Sequence, residues 1–140
     1  DACDPAQSLE EYGRLYNWYA VDDARGLCPS GWHVPTDGEW TVMTDFLGGE
    51  SVAGVEMKTD YGWGNGGNGT NSSGFSGLPG GYRGDFGYFY LTTANGSWWS
   101  SSPVGIKAWG RDLQFGNPFV NSFDVNLRFG FSVRCVRDAE

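Results

Sequence analysis

The sequence predicts an α+β domain, and three observations carry that prediction. A helix with an explicit start signal lies in the first half of the chain. Helical spacing of apolar residues is confined to that half. The second half is a series of short apolar runs separated by Gly-rich turns, which is how short strands read. The expected architecture is two short helices in the N-terminal half, then several short, mostly antiparallel strands joined by long Gly/Asn-rich loops.

Residues 1–11 are polar and acidic with no period, and read as a lead-in segment to a single domain over 12–138. Tyr12–Val21 is aromatic and apolar. Leu15, Trp18, Tyr19 and Asp22 follow helical spacing, and Asp22, Asp23 and Gly26 mark an end. A strand over the cysteine-marked Leu27–Val34 then leads into the clearest element. Thr36 stands three residues before Glu39, a capping box in which hydroxyl and carboxylate each satisfy a free amide. Trp40, Met43 and Leu47 fall on one face with Phe46 beside them, and Gly48-Gly49 supplies a stop. A helix over about 37–47 follows. The only histidine, His33, lies just ahead of it and reads as a packed, hydrogen-bonded residue.

Residues 61–74 hold six Gly and three Asn, so a loop is expected. Gly74–Arg83 reads as a short buried strand into a tight turn. Further strands are expected around 86–92, 97–101, 106–115 and 130–136. Trp98 and Trp99 are adjacent, so a strand there points them to opposite faces and buries at least one.

The chain has 140 residues and a net charge of −8, with 23 Gly and 7 Trp. That size suits one domain with its own core. The acidic balance argues against nucleic acid or an anionic membrane as partner, since both require a basic face. No apolar run approaches a membrane span. The chain starts at Asp1 rather than Met, so a mature or trimmed form is expected. The three cysteines, Cys3, Cys28 and Cys135, allow one disulfide and one leftover thiol. Cys28–Cys135 is the preferred pair, with free thiols as the alternative.

Chemistry is sparse. No CxxC accompanies His33, so a metal site is not expected. Calcium in the 61–74 loop has Asp60 nearby but too few carboxylates. Gly80-Gly81 lacks the spacing of a phosphate loop. Ser100, Ser101 and Ser102 have no linked base, and Asp85, Asp112 and Asp124 do not single out a carboxylate pair. Neither an enzyme nor a cofactor is expected.

Aromatics are the stronger theme. Trp63, Trp98, Trp99 and Trp109 are candidates for a sugar platform, against the alternative that they fill the core. Residues 108–129 follow neither a helical nor a strand period, yet carry Phe115, Phe119, Phe123, Leu127 and Phe129 among small polar groups. An irregular core loop and a binding surface are both open; exposed Phe clusters favour the surface.

The segments YGRLYNWYAV, CPSGWHVPTDGEW, AG followed by MK, GFSGLPGGYR, WWSSS and GFSVRCVRD occur in order and resemble the Fibrobacter succinogenes major paralogous domain from Tyr12 onward. The resemblance implies a C-type-lectin-like fold of the type seen in formylglycine-generating enzymes, in secreted and surface proteins of Bacteroidetes-like bacteria. The family's common cysteines match Cys28 and Cys135, and Cys3 lies outside the shared motifs. The oxidase activity does not carry over, because it needs two cysteines in the C-terminal part and only Cys135 stands there. Some members resemble variable proteins of diversity-generating retroelements, hypermutated at adenine-containing codons ahead of the C-terminal motif. An Asn codon mutated at its adenines never yields Lys, Glu, Gln, Met or Trp. Within 110–129 only Gln114 belongs to that set.

The resulting expectation is a ligand-binding or adhesion module, secreted or displayed on a cell surface. Its contact face is expected at Trp109, Gly110, Asp112, Gln114, Phe115, Asn117, Phe119, Ser122, Phe123, Asp124, Leu127 and Phe129. A protein or cell-surface ligand suits the Phe content. A glycan is the alternative, although Gly116-Asn117-Pro118 is not the Glu-Pro-Asn or Gln-Pro-Asp tripeptide of calcium-dependent lectins.

Overall fold

Residues 4–140 are described by a computed structural model. Among the described residues four α-helices lie between Pro5 and Met57 and seven strands follow or interleave, an α+β arrangement with two more helices than the spacing predicts. The elements are α1 (Pro5–Tyr12), α2 (Trp18–Val21), β1 (Trp32–His33), α3 (Asp37–Phe46), α4 (Ala53–Met57), β2 (Tyr82–Arg83), β3 (Phe89–Tyr90), β4 (Asn95–Val104), β5 (Lys107–Gln114), β6 (Val120–Asn126) and β7 (Val136–Arg137).

The expected lead-in is helical from Pro5. Asp4 accepts from the amides of Ala6 and Gln7, and Pro5 sits where its missing N–H costs nothing. No residue of α1 is buried, which is why no apolar period marks it. The predicted capping box is present in α3. Thr36 Oγ1 accepts from Glu39 N at 3.1 Å, and Glu39 Oε2 accepts from Thr36 N at 3.0 Å. Trp40 and Leu47 are buried as expected, whereas Phe46 is 87% exposed.

The centre of the molecule is the antiparallel sheet β4-β5-β6. Its two faces carry separate cores. On one face Trp98, Leu113 and Val120 pack with Trp40, Met57, Trp63 and Phe75. On the other, Trp99, Ala108 and Val125 pack with Trp18 and Phe131. Trp98 and Trp99 therefore do point to opposite faces, and both are buried. Four of the buried indoles find an acceptor: Trp18 on Ser100 O, Trp40 on Trp99 O, Trp63 on Gly77 O and Trp99 on Tyr16 O. A buried indole N–H without an acceptor would carry a desolvation cost.

The strand expected over 130–136 is mostly extended chain. Phe131 bridges Tyr16, Gly130 bridges Arg83, and only β7 pairs regularly, with β1. Cys28 and Cys135 are disulfide-bonded, with Cα atoms 5.9 Å apart. The pairing preferred from the sequence is thus the one formed; Cys3, the expected leftover, lies outside the described residues.

Candidate functional site

The strand expected around 106–115 is β5, and the 108–129 stretch, expected to follow no regular period, continues through a turn into a second regular strand, β6. β5 and β6 pair continuously from Lys107↔Asn126 to Leu113↔Val120, and Phe115–Phe119 forms the turn. The sequence conceals β6 because both its faces meet something. Val120 and Val125 belong to opposite cores, so no strict alternation of apolar and polar residues survives.

The turn is held by its main chain. Lys58 Nζ donates to the carbonyls of Gln114 and Asn117 at 2.9 and 3.0 Å. The amide of Gly54 donates to Pro118 O, that of Phe115 to Ala94 O, and that of Val120 to Glu50 O. Two glycines let the scaffold come this close. A Cβ on Gly54 would stand 2.7 Å from the carbonyl oxygens of Pro118 and Phe119, and one on Gly67 would stand 2.3 Å from Phe115 O. The Gly/Asn-rich loop over 61–74 therefore packs on the turn at Gly67.

Lys58 is 3% exposed and sits 5.5 Å from the centre of the Trp63 ring. Burial pulls its amine below the usual lysine range. It stands in the MK pair of the sequence resemblance, but nothing in the spacing signals its role.

The twelve expected contact residues divide by environment. Phe119, Ser122 and Asp124 are exposed. Asp124 lies 3.5 Å from Lys107 Nζ across the hairpin, and Trp109 is half-buried opposite Asp124. Gly110 is buried; an added Cβ would meet the Phe131 ring at 3.0 Å. Phe115 packs on the first core, and Phe123, Leu127 and Phe129 pack on the second. Phe129 also stacks on Tyr82. The expected exposed Phe cluster thus narrows to Phe119, because the other rings are needed to close the two cores.

Asp112, Gln114 and Asn117 form a half-buried polar cluster. The Asp112 carboxylate accepts from Asn121 Nδ2 at 2.6 Å, Asn95 Nδ2 at 3.0 Å and Gln114 Nε2 at 3.4 Å. Asn117 Nδ2 donates to Gln114 Oε1. On the opposite face Arg111, 2% exposed, pairs with Asp37 Oδ1 at 2.7 Å and so fixes the hairpin to the first residue of α3. That contact is charge–charge without hydrogen-bond alignment, and Arg111 Nε has no partner among the described residues.

The four-Trp platform does not form, since Trp63, Trp98 and Trp99 are buried and serve the cores. Other features went unread in the sequence. Phe86, Tyr88 and Phe89 stand exposed at the β2–β3 hairpin. A groove of about 560 Å³ beside the disulfide is lined by Trp32, Trp40, Phe75 and Arg134. A second, of about 650 Å³, lies between α1 and Arg83 and Phe89. Their walls come from segments far apart in the chain, so local spacing does not reveal them. His33 is held between two carboxylates, with Nδ1 2.5 Å from Asp138 and Nε2 2.9 Å from Glu39. It links α3 to the C-terminal segment and is hydrogen-bonded as expected.

No curated protein and no solved structure gives a significant match to this chain. A family model does match, over residues 3–137, nearly the full length. With its capped α3 and the flanking segments in place, the chain belongs to the Fibrobacter succinogenes major domain family.

Proposed function

We propose that this domain is a ligand-binding or adhesion module, secreted or surface-displayed, with a C-type-lectin-like scaffold presenting the β5–β6 hairpin to a protein or cell-surface ligand. The observation that carries this reading is the grip on the turn. The scaffold bonds to the carbonyls of Gln114, Asn117 and Pro118, which every residue type supplies, and to the amides of Phe115 and Val120, which every residue type except proline supplies. Side chains at Phe119, Ser122 and Asp124 project outward and are free to differ without loss of that grip. Such a surface suits diversification, and the near-absence of adenine-inaccessible residue types over 110–129 is in line with it. The disulfide suits an oxidising compartment outside the cytosol.

Randomising Phe119, Ser122 and Asp124 together tests the reading. Most variants are expected to fold with little change in melting temperature, and selection is expected to yield binders to unrelated proteins. Widespread unfolding, or no binders from a library that folds, overturns it. The genomic test is independent: a near-repeat of the 3′ coding end, differing only at adenines and close to a reverse transcriptase gene, is what diversification requires. A glycan array read with and without a chelator checks the carbohydrate alternative.

A further inference from the structure

The two edges of the central sheet are treated differently. β4 is covered along its length. Asn95 O accepts from Gly81 N, Ser97 O from Ser132 N, Trp99 N donates to Ser132 O, and Ser101 N donates to Pro35 O. Its register also breaks between Trp99 and Pro103. Bulges, proline and covering chain are the usual protections of a sheet edge.

β6, the other edge, has none of these over its centre. Its seven residues pair with β5 in unbroken register and include no proline and no lysine. Val120 N points away from β5, to Glu50 O. The backbone alternates in an antiparallel pair, so Ser122 and Asp124 also turn their N–H and C=O outward, as does the Asn126 N–H. Among the described residues these five groups meet no backbone or side-chain partner. The open stretch is bounded by the Val120–Glu50 bond at one end and by the Trp18 N–Leu127 O bond at the other. Ser122, Asp124 and Asn126 are all exposed, so chain can reach them.

We propose that β6 is a docking edge at which an extended, basic segment of a partner protein adds as a fourth strand through main-chain hydrogen bonds. The spacing of donors and acceptors at alternate residues specifies an extended backbone. The charge of the partner follows from the surroundings. Glu50 lies at the end of the edge, Asp124 lies on it with its carboxylate shared with Lys107 at 3.5 Å, and the chain carries −8 overall. A second copy of the chain would bring another −8 to the same edge, which disfavours self-pairing. This inference is separate from recognition by the Phe119 side chain, because it uses backbone groups on the flank of the hairpin.

The test has two parts. Amide exchange on the isolated chain should show alternation: Ser122, Asp124 and Asn126 exchange freely, while Asn121, Phe123 and Val125 are protected. A displayed library of roughly eight-residue linear peptides, selected against the folded chain, is the probe. Enriched peptides are expected to be rich in Lys or Arg and to protect the three outward amides. Ser122→Pro and Asp124→Pro each remove one outward donor and leave the β5 ladder intact, since edge strands accept proline there. Each should weaken peptide binding about tenfold or more, while Phe46→Ala, an exposed position on α3, leaves it unchanged. Should a proline variant fail to fold, N-methylating alternate residues of the peptide tests the same bonds on the unaltered chain. Failure to enrich any peptide, binding that protects amides elsewhere, or binding indifferent to N-methylation overturns the proposal. Dimerisation of the chain alone that protects these three amides assigns the edge to a second copy and likewise overturns it.

Discussion

At the scale of single residues, two charged groups hold segments that are remote in sequence. His33 lies between Asp138 and Glu39, and the hydrogen bond to Asp138, then that to Glu39, raises its pKa above the ordinary 6.5. A raised folded-state pKa means the imidazolium is favoured by folding. The stabilisation is complete below about pH 6.5 and is lost as pH rises through the folded-state value. The effect is modest, because the imidazole is 37% exposed and solvent screens the pair. Melting curves from mildly acid to mildly alkaline pH should show a small decline across that window, absent in His33→Gln. Equal slopes in the two proteins would dismiss the clamp. Lys58 acts more strongly. Lys58→Met leaves the carbonyls of Gln114 and Asn117 without their donor, at about 1–3 kcal/mol for a buried unsatisfied group. Denaturant unfolding should show that loss, and amide exchange should rise first around the Phe115–Phe119 turn. Unchanged exchange there would mean Lys58 does not hold the turn.

At the scale of elements, the hairpin separates what is fixed from what is displayed. Gly67→Ala places a Cβ 2.3 Å from Phe115 O, where backbone must move; overpacking of this kind costs about 1–3 kcal/mol. Phe119→Ser changes a projecting side chain beside that same turn and should cost clearly less. Comparable losses in thermal unfolding would refute the division. The sequence allowed some elements to be read and hid others for definite reasons. The α3 capping box is a local four-residue device, so Thr36 and Glu39 announce it directly. The opposed burial of Trp98 and Trp99 follows from strand geometry alone. α1 leaves no apolar period because it buries nothing, and α4 leaves none because a helix of five residues is too short for one. β6 is hidden because its apolar residues serve two cores on opposite faces. For the same reason the sequence does not distinguish a surface from a core position for Phe123 and Phe129, which pack on the second core. From sequence, a Phe in an irregular stretch does not show which of two cores it closes.

At the scale of the whole molecule, closure depends on the Cys28–Cys135 bond. It spans 107 residues and ties the start of the chain's central part to its C-terminal segment. The regular pairing at that closure is only the two-residue β1–β7 contact, beside the His33 clamp. Neither is extensive enough to replace the covalent link. Constraining so long a loop in the unfolded chain stabilises the folded state by about 2–5 kcal/mol. Cys28→Ser with Cys135→Ser should lower unfolding free energy by that amount in denaturant titrations. The change should fall mainly on the unfolded state, because the bonds around the hairpin involve neither cysteine: Lys58 to Gln114 and Asn117, Gly54 to Pro118, and Arg111 to Asp37. In mild conditions the double variant should therefore keep native amide protection over Lys107–Gln114 and Val120–Val125, while β1, β7 and the groove lined by Trp32 and Arg134 become more open to exchange. Loss of hairpin protection in a still-folded variant would show that the closure positions the display surface as well as stabilising the fold, and the backbone grip would then not be sufficient to hold it.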